Sequence, residues 1–467
     1  MRRGCTALFA IAAVAAPAAA EDLLSPLDAW SISGKNTARA DHYEIGGNEA
    51  ASPYPHEGLH PYNELSLSFM RSDTPYDRWR GEFLGLVNNS KYRSTNDGVV
   101  IERFNVTRER GDVSVPHRYE IGDYFGYFSF RTLQRTLKGG KIDFQPVSTI
   151  AGGRQSLQLL SGFVAGGYTD ADPRDDYFNG ASWLIESPSW GKVIVNGVHN
   201  YRQAGFGTGR SGAHQAVASV AGEHGFALGS HRMLAEGELA GFFGDSLIGA
   251  TYRENKSELG YFAKLSGRAA TLPFTYSARA EYYGRDFRPN GAVITPNRRT
   301  WDLRANWAFA SGRRISGRVQ RFTNNVEDAT AQDNHVIGIT MAGPVETERL
   351  PGLNHRLDLL VERTRREDRT VDTLTSSAKL DLDAPLGDGW LGRAGFLFKI
   401  ADDDTTSIET TTYETRLSGD RAIRIDAFRG VISPGMVLRR VTGTGSQRIE
   451  IGPRIGATLA YDAHRLN

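Results

Sequence analysis

Cysteine is almost missing from this chain of 467 residues, which contains a single one, Cys5. Because Cys5 lies in an N-terminal segment that we expect to be cleaved, the mature chain would carry no thiol. Disulfides, thiolate catalysis and cysteine-ligated metals are therefore excluded. Long apolar runs are missing too: beyond the N-terminus no stretch is long enough to cross a bilayer as a helix.

An excess of charge of one sign is also lacking, since 55 Lys and Arg face 54 Asp and Glu. Nucleic-acid-binding domains are usually strongly basic, so no nucleic-acid partner is expected. The sequence has no glycine-rich phosphate loop, no dinucleotide fingerprint and no spaced set of metal ligands. We therefore predict no cofactor, no metal site and no catalytic residues, and thus a protein that is not an enzyme.

The N-terminus has the three parts of a secretory signal peptide. Met1-Arg2-Arg3 is basic, residues 7–15 are apolar, and Ala18-Ala19-Ala20 offers a small-residue cleavage site. We predict a signal peptide over residues 1–20, an irregular lead-in over 21–60, an N-terminal β segment over 61–150 and a β-barrel over 151–467.

The clearest structural signal is period-two alternation. In residues 301–309 the apolar side chains Trp301, Leu303 and Trp307 alternate with Asp302 and Arg304. Successive side chains of a strand point to opposite faces, so this segment is predicted to be a strand with one apolar and one charged face. Residues 275–283 and 448–461 repeat the pattern, and about seventeen such segments follow residue 150.

Turn and loop lengths alternate between short and long along this part of the chain, which is typical of bacterial outer-membrane barrels. The predicted fold class is therefore all-β: a large antiparallel transmembrane barrel of about 16–18 strands or more. Residues 246–253 are predicted as a separate strand, and residues 421–428 are either a further strand or a connection. A soluble exported β-sandwich or propeller, with the charges on its outer surface, is the rival fold, because alternation alone does not separate lipid from a protein core.

Charged side chains opposite apolar positions define the candidate site. On a lipid face, Arg or Lys near the midplane would cost ~2–4 kcal/mol, so we expect these residues to face a polar interior. The predicted pore-lining residues are Arg279, Glu281, Asp302, Arg304, Asp358, Lys379, Asp381, Arg416, Glu450 and Arg454. The predicted membrane-interface aromatics are Trp301, Trp307, Phe309, Tyr276, Tyr282 and Tyr461.

One segment carries a family resemblance. Gly122-Asp123, then Phe128-Ser129-Phe130-Arg131, then Lys138-Gly139-Gly140 resembles the start of the barrel in outer-membrane ushers, the pilus-secreting channels. The resemblance covers about thirty residues, and the chain lacks the cysteine pair that ushers usually carry near the C-terminus. It implies an outer-membrane barrel fold and makes residues 115–146 a candidate plug or barrel entry, but it does not imply pilus assembly.

The resulting hypothesis is an exported, porin-like channel of the Gram-negative outer membrane that passes a solute or polymer, for instance by exporting a polysaccharide or protein, without a covalent step. Its expected partners are outer-membrane lipid and lipopolysaccharide, the barrel-assembly machinery and an unidentified cargo. One alternative is a secreted or surface-exposed non-catalytic β-protein that binds cell-envelope polymers. Another is a barrel-borne hydrolase that uses His199 and Asn200.

Overall fold

The structure is a computed structural model. It describes residues 30–44, 56–94, 96–165, 167–168, 176–203, 212–248, 251–425, 428–443 and 446–461. These residues form strands, turns and irregular connections, and none of them lies in a helix. Among them there is accordingly no helix long and apolar enough to cross a membrane. The predicted signal peptide lies outside the described residues.

The strands belong to one 23-stranded sheet in which successive strands pair antiparallel through the registers resolved. The all-β, antiparallel prediction is confirmed. The strands are β1 (Trp30–Tyr43), β2 (Gly58–Thr74), β3 (Asp77–Asn88), β4 (Gly98–Arg110), β5 (His117–Ser129), β6 (Leu133–Phe144), β7 (Thr149–Ile150), β8 (Gly153–Phe163), β9 (Tyr177–Ser187), β10 (Gly191–Arg202), β11 (Ala213–Leu228), β12 (His231–Ile248), β13 (Thr251–Ala269), β14 (Phe274–Tyr283), β15 (Arg298–Ala308), β16 (Arg314–Asn324), β17 (Gln332–Pro344), β18 (Asn354–Arg366), β19 (Asp372–Gly387), β20 (Trp390–Asp403), β21 (Ile408–Ile425), β22 (Phe428–Gly443) and β23 (Ser446–Tyr461).

Three expectations from the sequence differ from the observed strands. Residues 246–253 are not a separate strand, because β12 continues past Gly244 through a register shift and β13 begins at Thr251. The bulge interrupts the period-two pattern, so the end of β12 and the start of β13 resemble a separate short strand in the sequence. The segment 421–428 is neither a further strand nor a connection in its described part, because residues 421–425 end β21 and Phe428 begins β22. Within the lead-in expected to be irregular, residues 30–43 form β1, which pairs with β2.

The chain divides into two compact units. The first comprises Met1–Gly126, Arg135–Thr149 and Arg154–Asn179, and the second comprises Tyr127–Gln134, Ile150–Gly153 and Gly180–Asn467. In the first unit, Arg93 joins β2 to β4 by contacting Glu64 at 3.2 Å and Glu102 at 2.6 Å. A lysine in this unit, Lys138, is buried and bonds Asp123 at 2.5 Å.

In the second unit the usual relation between polarity and burial is reversed. Asp302 and Asn196 are 3% and 2% exposed, whereas Trp301 and Leu303 are 53% and 55% exposed. Soluble proteins bury their apolar side chains and rarely bury carboxylates fully. The sheet of this unit therefore has a polar face, which carries Asp302 and Asn196, and an apolar face, which carries Trp301 and Leu303.

Register extends both faces across neighbouring strands. Val195, Val220, Leu239 and Tyr261 pair in sequence from β10 to β13, and all four are exposed. One residue further along β10 and β11, Asn196 pairs with Ser219, and both are buried. A one-residue slip would exchange the two faces, so this register is strongly specified.

Candidate functional site: a loop and a hairpin tip on the polar face

The connection between β14 and β15, residues 284–297, lies against the polar face of the second unit. Its anchor is Phe287, which is fully buried in a small cluster with Val217, Ala240, Phe242 and Tyr283. The ring centroid of Phe287 lies 5.6 Å from that of Tyr283 and 6.3 Å from that of Phe242. Burying a phenylalanine ring contributes about 1.5–3 kcal/mol, enough to hold an otherwise polar loop against the sheet.

Hydrogen bonds fix the same loop at its middle. The backbone N of Asn290 donates to Gln215 Oε1 at 2.9 Å, and Gln215 Nε2 donates to the carbonyl of Arg288 at 3.3 Å. The Asn290 side chain also donates to Asn200 Oδ1 at 3.3 Å. Burial in this loop lowers the pKa of the Arg288 guanidinium below its ordinary value. The loop is thus a packed structural element of the second unit.

The tip of the β5–β6 hairpin, Tyr127–Gln134, belongs to this unit as well. Two backbone hydrogen bonds join it to the loop: Gln134 N donates to the Gly291 carbonyl at 2.7 Å, and Val293 N donates to the Phe130 carbonyl at 3.0 Å. Tip and loop therefore form one assembly on the polar face.

A buried ion pair joins the tip to β12. Arg131 Nη1 lies 2.7 Å from Glu238 Oε2, and Ser129 Oγ donates to Glu238 Oε1 at 2.6 Å. The Arg131 guanidinium also lies 4.0 Å from the ring centroid of Phe262, close enough for a cation–π interaction. Because both charged side chains are more than nine-tenths buried, loss of Arg131 would leave the Glu238 carboxylate buried without this cation, and loss of Glu238 would leave Arg131 with Glu281 at 4.0 Å.

Beside this tip lies a cavity of about 490 Å³, within the size range of small-molecule sites. Its aromatic lining comes from Tyr127, Phe128, Phe130 and Phe262. Its charged lining is of mixed sign: the basic residues are Arg131, Lys192, Lys264, Arg279 and Arg304, and the acidic residues are Glu223, Glu236, Glu238 and Asp302.

Most of these charges are paired across strands. Asp302, the most deeply buried of the predicted pore-lining residues, contacts Arg304 at 2.9 Å and Arg318 at 2.8 Å. Lys264 contacts Glu236 at 2.5 Å. Such alternating pairs give the cavity hydrogen-bonding groups of both kinds without a strong net charge.

Four of the predicted pore-lining residues meet at this assembly. Arg279, Asp302 and Arg304 line the cavity, and Glu281 bonds Arg279 and lies 4.0 Å from Arg131. The other six lie on β18–β23, away from the cavity lining: Asp358 pairs with Arg356, Lys379 with Asp381, Arg416 with Glu414 and Glu450 with Arg448, while Arg454 is exposed.

The predicted interface aromatics lie on the apolar face or at its ends. Trp301 and Phe309 are exposed, while Trp307, Tyr276 and Tyr282 are half-buried. The side chain of Tyr461 lies outside the described residues. Trp301 and Phe309 are eight residues apart, which corresponds to about 26 Å along a strand and is similar to the ~25 Å apolar band of membrane barrels.

Sequence reasoning missed three residues that build the site: Arg131, Glu238 and Phe287. A weak signal was present, because Phe287 is a large apolar residue within an otherwise polar connection. Arg131 and Glu238, by contrast, are separated by 107 residues, and no local pattern links them.

The positions of His199 and Asn200 do not suit the hydrolase alternative. His199 and Asn200 are adjacent on β10 and point to opposite faces, His199 exposed and Asn200 buried against the loop. Adjacent strand residues cannot converge on one substrate atom. Among the residues that the structure describes, no group of three His, Cys, Asp or Glu side chains is placed to hold a metal ion.

No protein-family model and no curated protein matches the chain. Solved structures do match. Pseudomonas aeruginosa OpdK, in a crystal structure with vanillate, is 14% identical, with 79% of this chain and 97% of OpdK covered and a TM-score of 0.37. Wzi from Escherichia coli, described as a carbohydrate-binding β-barrel of the outer membrane, is 12% identical over 74% of this chain and 83% of Wzi, with a TM-score of 0.34.

The translocation pore of the P pilus usher PapC is 11% identical over 92% of this chain and 98% of that chain, with a TM-score of 0.33. These matches are outer-membrane proteins of the porin and usher kind. The single antiparallel sheet of this chain is consistent with a large all-β barrel, which is the predicted fold class. Identities this low carry no residue role from those proteins to this one.

Proposed function

We propose that the chain is a β-barrel channel of the bacterial outer membrane. The observation that carries this proposal is the reversed burial of the second unit, where carboxylates and amides are buried and leucines, valines and tryptophans are exposed. In water so large an exposed apolar surface would drive association. In a bilayer the apolar face contacts acyl chains, and the polar face surrounds an aqueous lumen.

The tip and the loop narrow this lumen. Both lie on the polar face, and together they border the charged cavity. Passage is then limited by size and by hydrogen bonding to paired charges, with no covalent step. A cavity of about 490 Å³ fits a small polar solute. A folded protein or a polymer would require the tip to move.

Two measurements test the proposal. The mature protein, folded in detergent, is expected to migrate differently on gels when boiled and unboiled, because a closed strand ladder resists unfolding by detergent at room temperature. In planar bilayers it is expected to produce discrete conductance steps. A mature protein that is soluble without detergent and unaffected by boiling would refute the proposal and support the polymer-binding alternative.

A further inference from the structure

The apolar face of β15–β18 changes character abruptly along the strands. One row of paired residues, Leu303, Val319, Ile337 and Val361, is apolar and about half exposed throughout. The connections 284–297, 325–331 and 367–371 lie at one end of these strands. Two residues closer to that end, the row on the same face consists of Trp301, Arg321, His335 and Arg363. Two residues on a strand span ~6.6 Å, so the apolar row gives way to cationic side chains within that distance.

The next row continues the change. It contains Arg299 and Arg365, with Thr323 and Asp333 between them. We call Arg299, Arg321, Arg363 and Arg365 the arginine belt. Adjacent strands are ~4.8 Å apart, so the belt extends over ~14 Å of the sheet surface. Trp301 lies at its boundary with the apolar row, the depth that amphipathic indole rings occupy in membranes.

The arginine belt is only partly neutralised. Arg321 contacts Asp333 at 2.9 Å, and Asp372 contacts Arg363 at 3.1 Å and Arg365 at 3.8 Å. The side chains of Arg321, Arg363 and Arg365 nevertheless remain 50%, 48% and 48% exposed. Asp333 and Asp372 contact the belt and Asp404 acts on Arg363 from further away. Three carboxylates against four guanidinium groups still leave an excess of positive charge at the edge of the apolar face.

We propose that the arginine belt binds the phosphate groups of a phosphorylated lipid in the adjoining leaflet, an inference that rests on the proposed membrane insertion. Guanidinium groups bind phosphate through two parallel hydrogen bonds and are weakly hydrated, which suits the head-group layer. The acyl chains of the same lipid would lie on the row of Leu303 and Ile337. Free inorganic phosphate would contact only the arginine belt and would make no contact with the apolar row.

The test uses the full mature chain, folded in a zwitterionic detergent and titrated with diphosphoryl lipid A in native mass spectrometry. The variant R321Q/R363Q is expected to bind this lipid about 25-fold more weakly, since each arginine near a charged membrane surface contributes about fivefold. The control R313Q/R349Q removes two exposed arginines from the turns at the opposite ends of the same strands, and its affinity should stay within about twofold.

A second variant is expected to change the lipid affinity in the opposite direction. D333N/D372N removes the two carboxylates that contact the belt and is expected to tighten lipid binding, a result that general misfolding would not produce. Dephosphorylated lipid A and millimolar inorganic phosphate should each bind poorly to the wild-type protein. Equal binding of phosphorylated and dephosphorylated lipid, or equal losses in the two arginine double variants, would overturn the inference while leaving the channel intact. A protein that fails to insert into bilayers at all would refute the proposed function as well.

Discussion

Replacing Arg131 by methionine should release the hairpin tip from the polar face. Arg131 and Glu238 form a pair 2.7 Å apart, and each side chain is more than nine-tenths buried. Removing one partner of such a pair typically costs about 3–5 kcal/mol, because the remaining charge stays buried without compensation. This shifts the equilibrium between held and released tip by about 10²–10⁴-fold towards release. The two backbone hydrogen bonds between the tip and the loop stabilise the held tip by only about 1 kcal/mol each, which is less than this loss.

The expected result for R131M in planar bilayers is a larger mean conductance, with more frequent transitions between conductance levels than in the wild type. E238M should change the conductance in the same direction but by less, because Arg131 keeps Glu281 at 4.0 Å. The double variant R131M/E238M should recover part of the wild-type behaviour, since two packed apolar side chains often replace a buried ion pair with little loss of stability.

The matched control is R393M, which breaks the pair between Arg393 and Asp420, two residues outside the cavity lining. Arg393 is 54% exposed, so the loss of this pair should cost no more than about 1 kcal/mol and leave the conductance close to wild type. If R131M inserts normally and has the conductance of R393M, the buried pair does not hold the tip, and the reasoning fails.

Three further outcomes follow from the same structure. F287A removes the fully buried ring that anchors the 284–297 loop, so it should cost about 3–5 kcal/mol of local stability and increase the current noise. V293A changes an exposed position of the same loop and should have neither effect. Equal current traces for the two variants would contradict the anchoring role of Phe287. D302N removes a carboxylate held between two arginines, so the reversal potential in a salt gradient should move towards anion selectivity, and an unchanged potential would show that the cavity does not carry the current. L303R places a charge on the apolar face and should cost ~2–4 kcal/mol of folding stability in lipid. Q320R places its charge opposite Asp302 on the polar face and should fold normally. If urea titrations show L303R to be the more stable of the two variants, the faces are assigned wrongly.

The sequence predicted a large part of this arrangement because strand periodicity is a local property. The alternation of Trp301 and Leu303 with Asp302 and Arg304 was sufficient to predict both the strand and its two faces, and β15 shows both. The same reasoning failed for residues 246–253, because a bulge between Gly244 and Ser246 interrupts the period near the end of β12.

The site depended on information that no local pattern contains. Residues 284–297 are polar and rich in turn-forming residues, a composition typical of an ordinary long loop, yet Phe287 anchors them against the polar face. The period-two pattern places Asp302 and Arg279 on the charged faces of their strands, but it cannot single out Arg131, which reaches Glu238 across 107 residues.

By itself, the sequence determined the all-β class, the antiparallel strands and the separation of polar from apolar side chains, because each of these depends on neighbours one or two residues apart. Only the tertiary structure decided which of the two faces is buried and which segments fold back onto it. Those outcomes depend on contacts between residues distant in the chain. The local pattern allows many conformations equally, and the burial of the Phe287 ring and of the Arg131–Glu238 ion pair selects one of them.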